Sequence, residues 1–543
     1  MEQSPENGHS EDRPNVDALS GKQIAHAAGL VVLGFVLSRL LGLIREALIG
    51  GIFGAASDYE AYAVALQVPD TIYFVIAGGA IGSAFIPVFT EYLSKGKKGE
   101  AWQIANAVTN LFFVILALVA ALSAVLARPI VTTLLAPGFA PEVQDLTIRL
   151  MRIMLLSPVI FGTSGLQMGM LNAHQRFLLP ALAPSMYNIG IILGAVVLAP
   201  VFGIGVFGLA WGVVLGAALH MIVQWPGLKI IQMPYRLIFD IKHTGVREIT
   251  RLMAPRVLGQ AVVQVNFWVN KSLASNMLEG SVAAIQRAWY LLLLPQGVIA
   301  QSVATAVFPT FSAQVAQGKT EDLKETLGQV LRAVLFLSIP ATVGLVVLRL
   351  PIVRLMYERG AFTPADSQAV AWALLFYGLG LVAHSLVEII TRAFYAMHDT
   401  RTPVGVGAAA MALNIALSLI LIRVMGDPQS ITRGAFAGLA LANTLATTLE
   451  GVALLLLIRP RVGGLGGKRT LSSLLKAGAA SAGMGLALWA LMPLITSWGQ
   501  YLGPLAAIAI GGAVFYGLAW LLRSEEVRMF TNLTVSRLKR SRR

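Results

Sequence analysis

The sequence predicts an all-α polytopic membrane protein: fourteen transmembrane helices, arranged as two six-helix repeats in the same orientation plus two C-terminal helices. Three observations lead there. Of 543 residues, 56% are hydrophobic and 13% charged, against roughly 25% charged in a soluble domain. Mean hydropathy is +0.72 over the whole length, whereas one membrane anchor needs only about 20 apolar residues. Finally, the chain repeats itself at a fixed offset.

The first 23 residues are polar and carry Glu2, Glu6, Glu11, Asp12 and Asp17. They lack the basic start and cleavage site of a signal peptide, and are expected to be an uncleaved cytoplasmic tail. Apolar windows follow at 24–53, 61–92, 103–127, 148–172, 178–200 and 204–226. A second set lies at 248–275, 284–312, 327–350, 367–395, 403–424 and 431–458, and a final pair at 471–496 and 501–522. The predicted organisation is a polar tail 1–23, a lobe 24–230, a cytoplasmic linker 231–247 and a second lobe 248–458. A basic, glycine-rich linker 459–470, two helices within 471–522 and a basic tail 523–543 complete it.

Charge placement tests the helix count. Lys95, Lys97, Lys98, Lys229, Arg236, Lys242, Arg459, Arg461, Lys468, Arg469 and the Arg537 to Arg543 cluster all fall on one side of the predicted topology. The opposite connections hold few basic residues: Arg128, Arg354, Arg359, Arg423 and Arg433. The bias places both termini in the cytoplasm. Most of the formal net charge of +14 then reads as an orientation signal, and nucleic acid is not an expected partner.

The repeat is visible in short matches. Phe85-Ile86-Pro87-Val88-Phe89 aligns with Val307-Phe308-Pro309-Thr310-Phe311, and Arg128-Pro129-Ile130-Val131 with Leu350-Pro351-Ile352-Val353, both at offset 222. Phe139-Ala140-Pro141 aligns with Phe362-Thr363-Pro364, and Ala173 and Pro180 with Ala396 and Pro403, at offset 223. An even number of spans per copy gives the two copies the same orientation. That is a transporter architecture, with a substrate site expected near mid-membrane between the repeats.

Ionisable residues inside spans mark function by default. Arg39 and Arg45 lie in the first span, six residues and so about 600° apart, off a common face. Their structural alternative is pairing of Arg45 with Glu46 or Glu60 and snorkelling of Arg39. Asn266 and Asn270 share a face next to Lys271 and either bind a ligand or join helices. Arg287 precedes Tyr290 by one turn, near a span end where snorkelling is the alternative. Glu388 and Arg392, spaced i,i+4, form an intrahelical pair or a coupling site. Pro69, Gly78 and Gly79 in the second span, like Pro295, Gly297 and Pro309 in the eighth, free backbone groups at bends that either gate or pack.

Enzyme signatures fail. Gly203-Ile204-Gly205-Val206-Phe207-Gly208 fits a dinucleotide pattern without a preceding strand, and Gly467-Lys468 lacks the rest of a P-loop. The seven histidines form no metal-binding spacing, and there is no cysteine. No enzyme activity, cofactor or metal is expected, so an external gradient or the membrane potential must drive any transport.

Leu37-Ser38-Arg39-Leu40-Leu41-Gly42-Leu43-Ile44-Arg45-Glu46, Val68-Pro69-Asp70, Ala136-Pro137-Gly138-Phe139, Arg359-Gly360-Ala361-Phe362-Thr363 with Asp366, and Arg392-Ala393-Phe394-Tyr395-Ala396 with Asp399-Thr400-Arg401-Thr402-Pro403 resemble the MurJ (MviN) family. The resemblance covers nearly all of the chain after residue 23. It implies a member of the multidrug/oligosaccharidyl-lipid/polysaccharide exporter superfamily in the bacterial inner membrane. It further implies flipping of lipid II, the undecaprenyl-diphosphate-linked peptidoglycan precursor, to the outer leaflet by alternating access for cell-wall synthesis. Arg39 and Arg45 match essential family arginines, Glu60 stands where an acid is usual, and the last two helices match a groove proposed for the lipid tail. Tyr73 and Tyr290 stand where the family has arginines, leaving Arg287 and Lys271 as candidate replacements. The alternatives are flipping of another polyprenyl-diphosphate glycolipid and multidrug antiport. Membrane lipids and a monovalent counter-ion complete the expected partners.

Overall fold

The computed structural model describes residues 21–78, 84–464 and 467–527. Gly79, most of the polar leading tail and the terminal basic cluster lie outside them. The described residues are helical, with no strand among them. Ten helices are long and apolar enough to cross a membrane, or eleven when Pro364–Leu379 and Leu381–Ala396, bent by 45°, count as one span.

Fourteen spans are expected from the sequence, and the described residues supply ten or eleven. The three remaining expected windows fall on Gly21–Phe53 with 33 residues, Thr244–Ser275 with 32, and the interrupted run from Ser57 to Ser94. Thr244–Ser275 is long enough at 1.5 Å per residue, but Arg247, Glu248, Arg251, Gln260, Gln264, Asn266, Asn270 and Lys271 make it polar. The interrupted run breaks first at Leu66, between Ser57–Ala65 and Gln67–Ile72, and then gives way to a π-helical turn at Tyr73–Gly78. The repeat partner behaves alike, with a π turn at Gly297–Gln301 after Ser281–Gln296. Pro69 has no N–H to give Ala65 O, and Pro295 none to give Leu291 O; each proline is followed within the next few residues by the wide turn.

The duplication is written into the backbone. The 28-residue helices Lys98–Val125 and Thr320–Val347 are displaced by 222 at both ends. Pro141 and Pro364 open equivalent helices, and Ala173 and Ala396 close them, at offset 223. Left-handed residues recur in register at Gly96 and Gly318, Gln175 and His398, and Gly203 and Gly426.

Two compact units emerge. One comprises the described part of Met1–Arg45 with Leu66–Ala127 and Arg149–Ala261. The other comprises Glu46–Ala65, Arg128–Ile148 and the described part of Val262–Arg543. The second unit thus takes two pieces of the first repeat, which departs from a division at the 231–247 linker. Its interior holds Phe311, Leu331, Ile389, Phe394 and Leu454 in one cluster and Phe336, Leu488, Ile495, Ala507 and Phe515 in another, around the last two helices. Large apolar side chains also face outward: Leu118, Leu122 and Val125 are 60–74% exposed along one helix. Such a face suits lipid and is unsuited to water.

Candidate functional site

In the first unit the site is built on Gly21–Phe53. Ser38, Gly42 and Arg45, at i, i+4 and i+7, share one stripe. That stripe faces Asn188 of Leu178–Leu193. The Arg45 guanidinium donates to Asn188 Oδ1 at 3.0 Å. Asn188 Nδ2 donates in turn to the Ser38 and Pro184 carbonyls at 3.2 and 3.1 Å, which fixes the amide with its oxygen toward the arginine. Arg39 lies off that stripe, exposed, with its guanidinium 5.0 Å from the Phe35 ring. Tyr73 is half-buried against Phe161, centroids 5.0 Å apart, and Phe161 packs edge-on to Tyr187 and His220. Pro69 is buried just before this turn.

In the second unit, the end of the first helix and the start of the second clasp the repeat partner. Glu60, 3% exposed, accepts hydrogen bonds from Val282 N at 2.7 Å and Ala283 N at 3.2 Å. These are otherwise unsatisfied donors at the start of Ser281–Gln296, where negative charge is also favoured by the helix dipole. Glu279 returns the contact, accepting from Ser57 N at 2.7 Å. Both pairs are separated by 222 residues, the repeat offset, so each residue meets its own repeat equivalent and the clasp lies on a pseudo-two-fold axis.

The flanking loops obey the same symmetry. Ala361 N donates to Gly51 O at 2.8 Å. A Cβ on Gly54 would come within 2.6 Å of the Ala361 carbonyl, and one on Gly138 within 2.4 Å of Asn276 Cα. Gly54 and Asn276 are repeat equivalents, as are Ala361 and Gly138. Thr363 and Asp366 form a capping box with Pro364 at the first helical turn, which sets the path of the loop.

Arg287 sits inside this clasp and is fully buried. Its guanidinium carbon is 4.0 Å from the Tyr59 ring centroid, 4.6 Å from Phe362 and 5.5 Å from Tyr357. Nη2 donates to Gly54 O at 2.5 Å, while Nε and Nη1 have no hydrogen-bond partner among the described residues. Lys271 Nζ donates to Ala63 O at 2.5 Å. Tyr290 is half-buried one turn from Arg287.

Asn266 and Asn270 join helices in this structure: Asn266 donates to Asn414 Oδ1 at 3.0 Å, Asn270 donates to Asn266 Oδ1 at 3.1 Å, and Ser418 donates to Asn270 Oδ1 at 3.4 Å. Arg392 donates to Glu388 at 2.9 Å within Leu381–Ala396. Outside the spans, Asp399 accepts from Thr402 N at 3.0 Å and Thr402 Oγ1 at 2.6 Å and pairs with Arg461. The Thr402 hydrogen bonds, then Arg461, hold its carboxyl well below the usual carboxylate range. No group of three or more metal-ligating His, Cys, Asp or Glu occurs among the described residues.

Sequence reasoning missed Asn188, Asn414, Glu279 and the ring cage of Arg287. The two asparagines carried a usable signal, since each is a polar residue inside an apolar span, and Asn188 follows Pro184 by one turn. The cage carried none, because Tyr59, Tyr357 and Phe362 look like ordinary apolar residues.

A family model described as "Lipid II flippase MurJ" matches residues 49–506. A relative named "Probable lipid II flippase MurJ" from Bdellovibrio bacteriovorus is 30% identical over 96% of this chain and 97% of its own length. "Lipid II flippase MurJ" from Burkholderia cenocepacia is 29% identical over 80% of this chain and 83% of its own. Among solved structures, "Lipid II flippase MurJ, inward closed conformation" is similar with a TM-score of 0.76 and 27% identity, covering 91% of this chain and 98% of that one. An inward-facing multidrug MATE transporter of the MOP superfamily is similar in fold alone, with a TM-score of 0.66 and 16% identity over 79% and 95% of the two chains.

Proposed function

The chain belongs to the lipid II flippase MurJ family, and from that premise we propose that it moves lipid II from the inner to the outer leaflet of the bacterial cytoplasmic membrane by alternating access. The observation that carries this reading is relatedness to lipid II flippases along the whole chain, 30% over 96% of it. The multidrug reading is not favoured, because the exporter neighbour shares only the fold. The protein is a multi-pass inner-membrane protein of a transporter family, not of a catalytic one.

The finer assignments are our own. The lipid diphosphate is the chemical handle, and guanidinium groups bind it bidentately. Arg45, aimed by Asn188, and Arg39 are its proposed ligands, with Tyr73, Lys271, Asn266, Asn270 and Tyr290 as further headgroup contacts. Both termini face the cytoplasm, which puts the Glu60 and Glu279 clasp at the outer end. There Glu60 and Arg287 serve as gate residues in this state. Pro69, Gly78 and Gly79 mark the bend that moves, and Glu388 with Arg392 is the candidate coupling pair for a monovalent counter-ion. With the cytoplasm negative, outward movement of an anion gains about 2.3 kcal/mol per charge per 100 mV.

The test is complementation of a flippase-depleted bacterium, read as lipid II appearing at the outer leaflet. The wild-type chain restores it and Arg45→Ala does not. Full rescue by both Arg39→Ala and Arg45→Ala overturns the headgroup assignment. Failure of the wild-type chain to expose lipid II overturns the flippase reading itself.

A further inference from the structure

The outer clasp is symmetric in its backbone contacts and asymmetric in its charge. Glu60 and Glu279 meet main-chain N–H groups on opposite sides of the pseudo-two-fold axis. The repeat equivalent of Arg287 is Ala65, and the equivalents of Tyr59 and Tyr357 are Ser281 and Leu135. One side of the closed end therefore buries a guanidinium in a cage of rings, and the other buries an alanine.

That guanidinium is poorly satisfied. It is fully buried, makes one hydrogen bond to Gly54 O, and keeps Nε and Nη1 without a partner among the described residues. Ring faces recover part of the lost hydration, but a buried cation with incomplete hydrogen bonding is disfavoured relative to an apolar side chain of similar volume. Nothing in the packing of the clasp needs the charge, since its other contacts are made by backbone groups and by Glu60 and Glu279.

We propose that Arg287 is a load on the closed outer end, shifting the balance toward opening, and that the freed guanidinium then takes a phosphate group arriving on the outer side. In the closed form Arg287 is hidden and cannot touch cargo. In the open form the guanidinium, released from Gly54 O, presents Nη2 beside Nε or Nη1 as a parallel pair of donors that matches the paired oxygens of a phosphate, and a ligand that binds only the open form draws the population toward it. The charge thus acts late, on release rather than on capture. The phosphate contact rests on the flippase reading above; the load does not.

The absence of cysteine permits a direct measurement. Ser281 is 1% exposed in the clasp, so Ser281→Cys in the full chain creates a single thiol that reacts with a membrane-impermeant maleimide only when the outer end opens. Applied outside intact cells, the reagent labels this variant at a measurable rate. Arg287→Met in the same background slows labelling about fivefold or more, the lower end of the range expected for replacing a buried charge. Arg287→Gln also slows it. External inorganic pyrophosphate speeds labelling when Arg287 is present and has no effect on Arg287→Met.

Unchanged or faster labelling in the Met and Gln variants overturns the load. Failure of both to accumulate does so as well, because a residue that loads a fold is not one the fold requires. Equal responses to pyrophosphate with and without Arg287 overturn the phosphate contact, and labelling from the cytoplasmic side alone overturns both parts. No outcome depends on lipid II, so a chain that labels as expected but does not flip counts against the flippase reading only.

Discussion

Arg45 is aimed by the Asn188 amide. Because Asn188 spends its Nδ2 on carbonyls from two helices, its oxygen can face only the arginine. A hydrogen bond to a charged group is worth about 1.5–3 kcal/mol. Asn188→Leu is therefore expected to lower lipid II exposure roughly tenfold or more at equal expression, measured at the outer leaflet, while Arg45→Ala abolishes it. Asp399 makes a second prediction. Its carboxyl is held down in the folded chain, so its contribution is fully present above the ordinary carboxylate range and fades as pH falls below about 4. Partial exposure of the pair, 41% for Arg461 and 21% for Asp399, screens it. Asp399→Asn should lower the unfolding temperature at neutral pH, and that difference should shrink at pH 3 and in high salt. At this scale the sequence marked charge well, because a lone arginine in an apolar run is conspicuous. It marked partners poorly: Arg45 and Asn188 are 143 residues apart, and no local pattern predicts which helix faces which.

Helices and their breaks were more legible. Proline and glycine clusters at Pro69 and Pro295 foretold interruptions, and both interruptions became π turns. The structure starts a helix at Pro364 with a Thr363–Asp366 capping box, three residues before the 367 at which the apolar window begins. The function of the preceding loop was hidden until its contacts appeared. Gly360 has φ of +57°, and a Cβ there would lie 2.1 Å from Gly51 O. Gly360→Ala should cost about 1–2 kcal/mol from the left-handed backbone alone, with the steric clash in addition. Accelerated maleimide labelling of Ser281→Cys is the expected readout; unchanged labelling would show that the loop does not hold the clasp. The asparagine network gives a fourth expectation. Asn414→Leu takes the Asn414 Oδ1 acceptor from Asn266 Nδ2 and leaves it only the long contact to Met411 O, which costs about 1–3 kcal/mol, and should lower the detergent unfolding temperature.

For the whole molecule, duplication was the strongest sequence signal and is the plainest structural one, because backbone conformation repeats even where side chains have diverged. The matched left-handed residues could not be foreseen at Gln175 and His398, which are not glycine. Span counting is less direct: a helix as rich in polar residues as Thr244–Ser275 lacks the apolar signature by which spans are counted. Dissipating the membrane potential in cells is expected to reduce lipid II exposure by the wild-type chain; undiminished exposure would remove voltage as the driving term. The clasp on the repeat axis also bears on how the gene can drift. Each carboxylate grips main chain, and every residue except proline supplies the same N–H, so the grip itself does not depend on which side chain the receiving position carries. One spelling change on the receiving side weakens it. Proline is tolerated in the first turn of a helix but brings no hydrogen to share, so Val282 can become another apolar residue that fits its buried place without loosening the grip, whereas proline takes away the shorter of the two backbone bonds to Glu60.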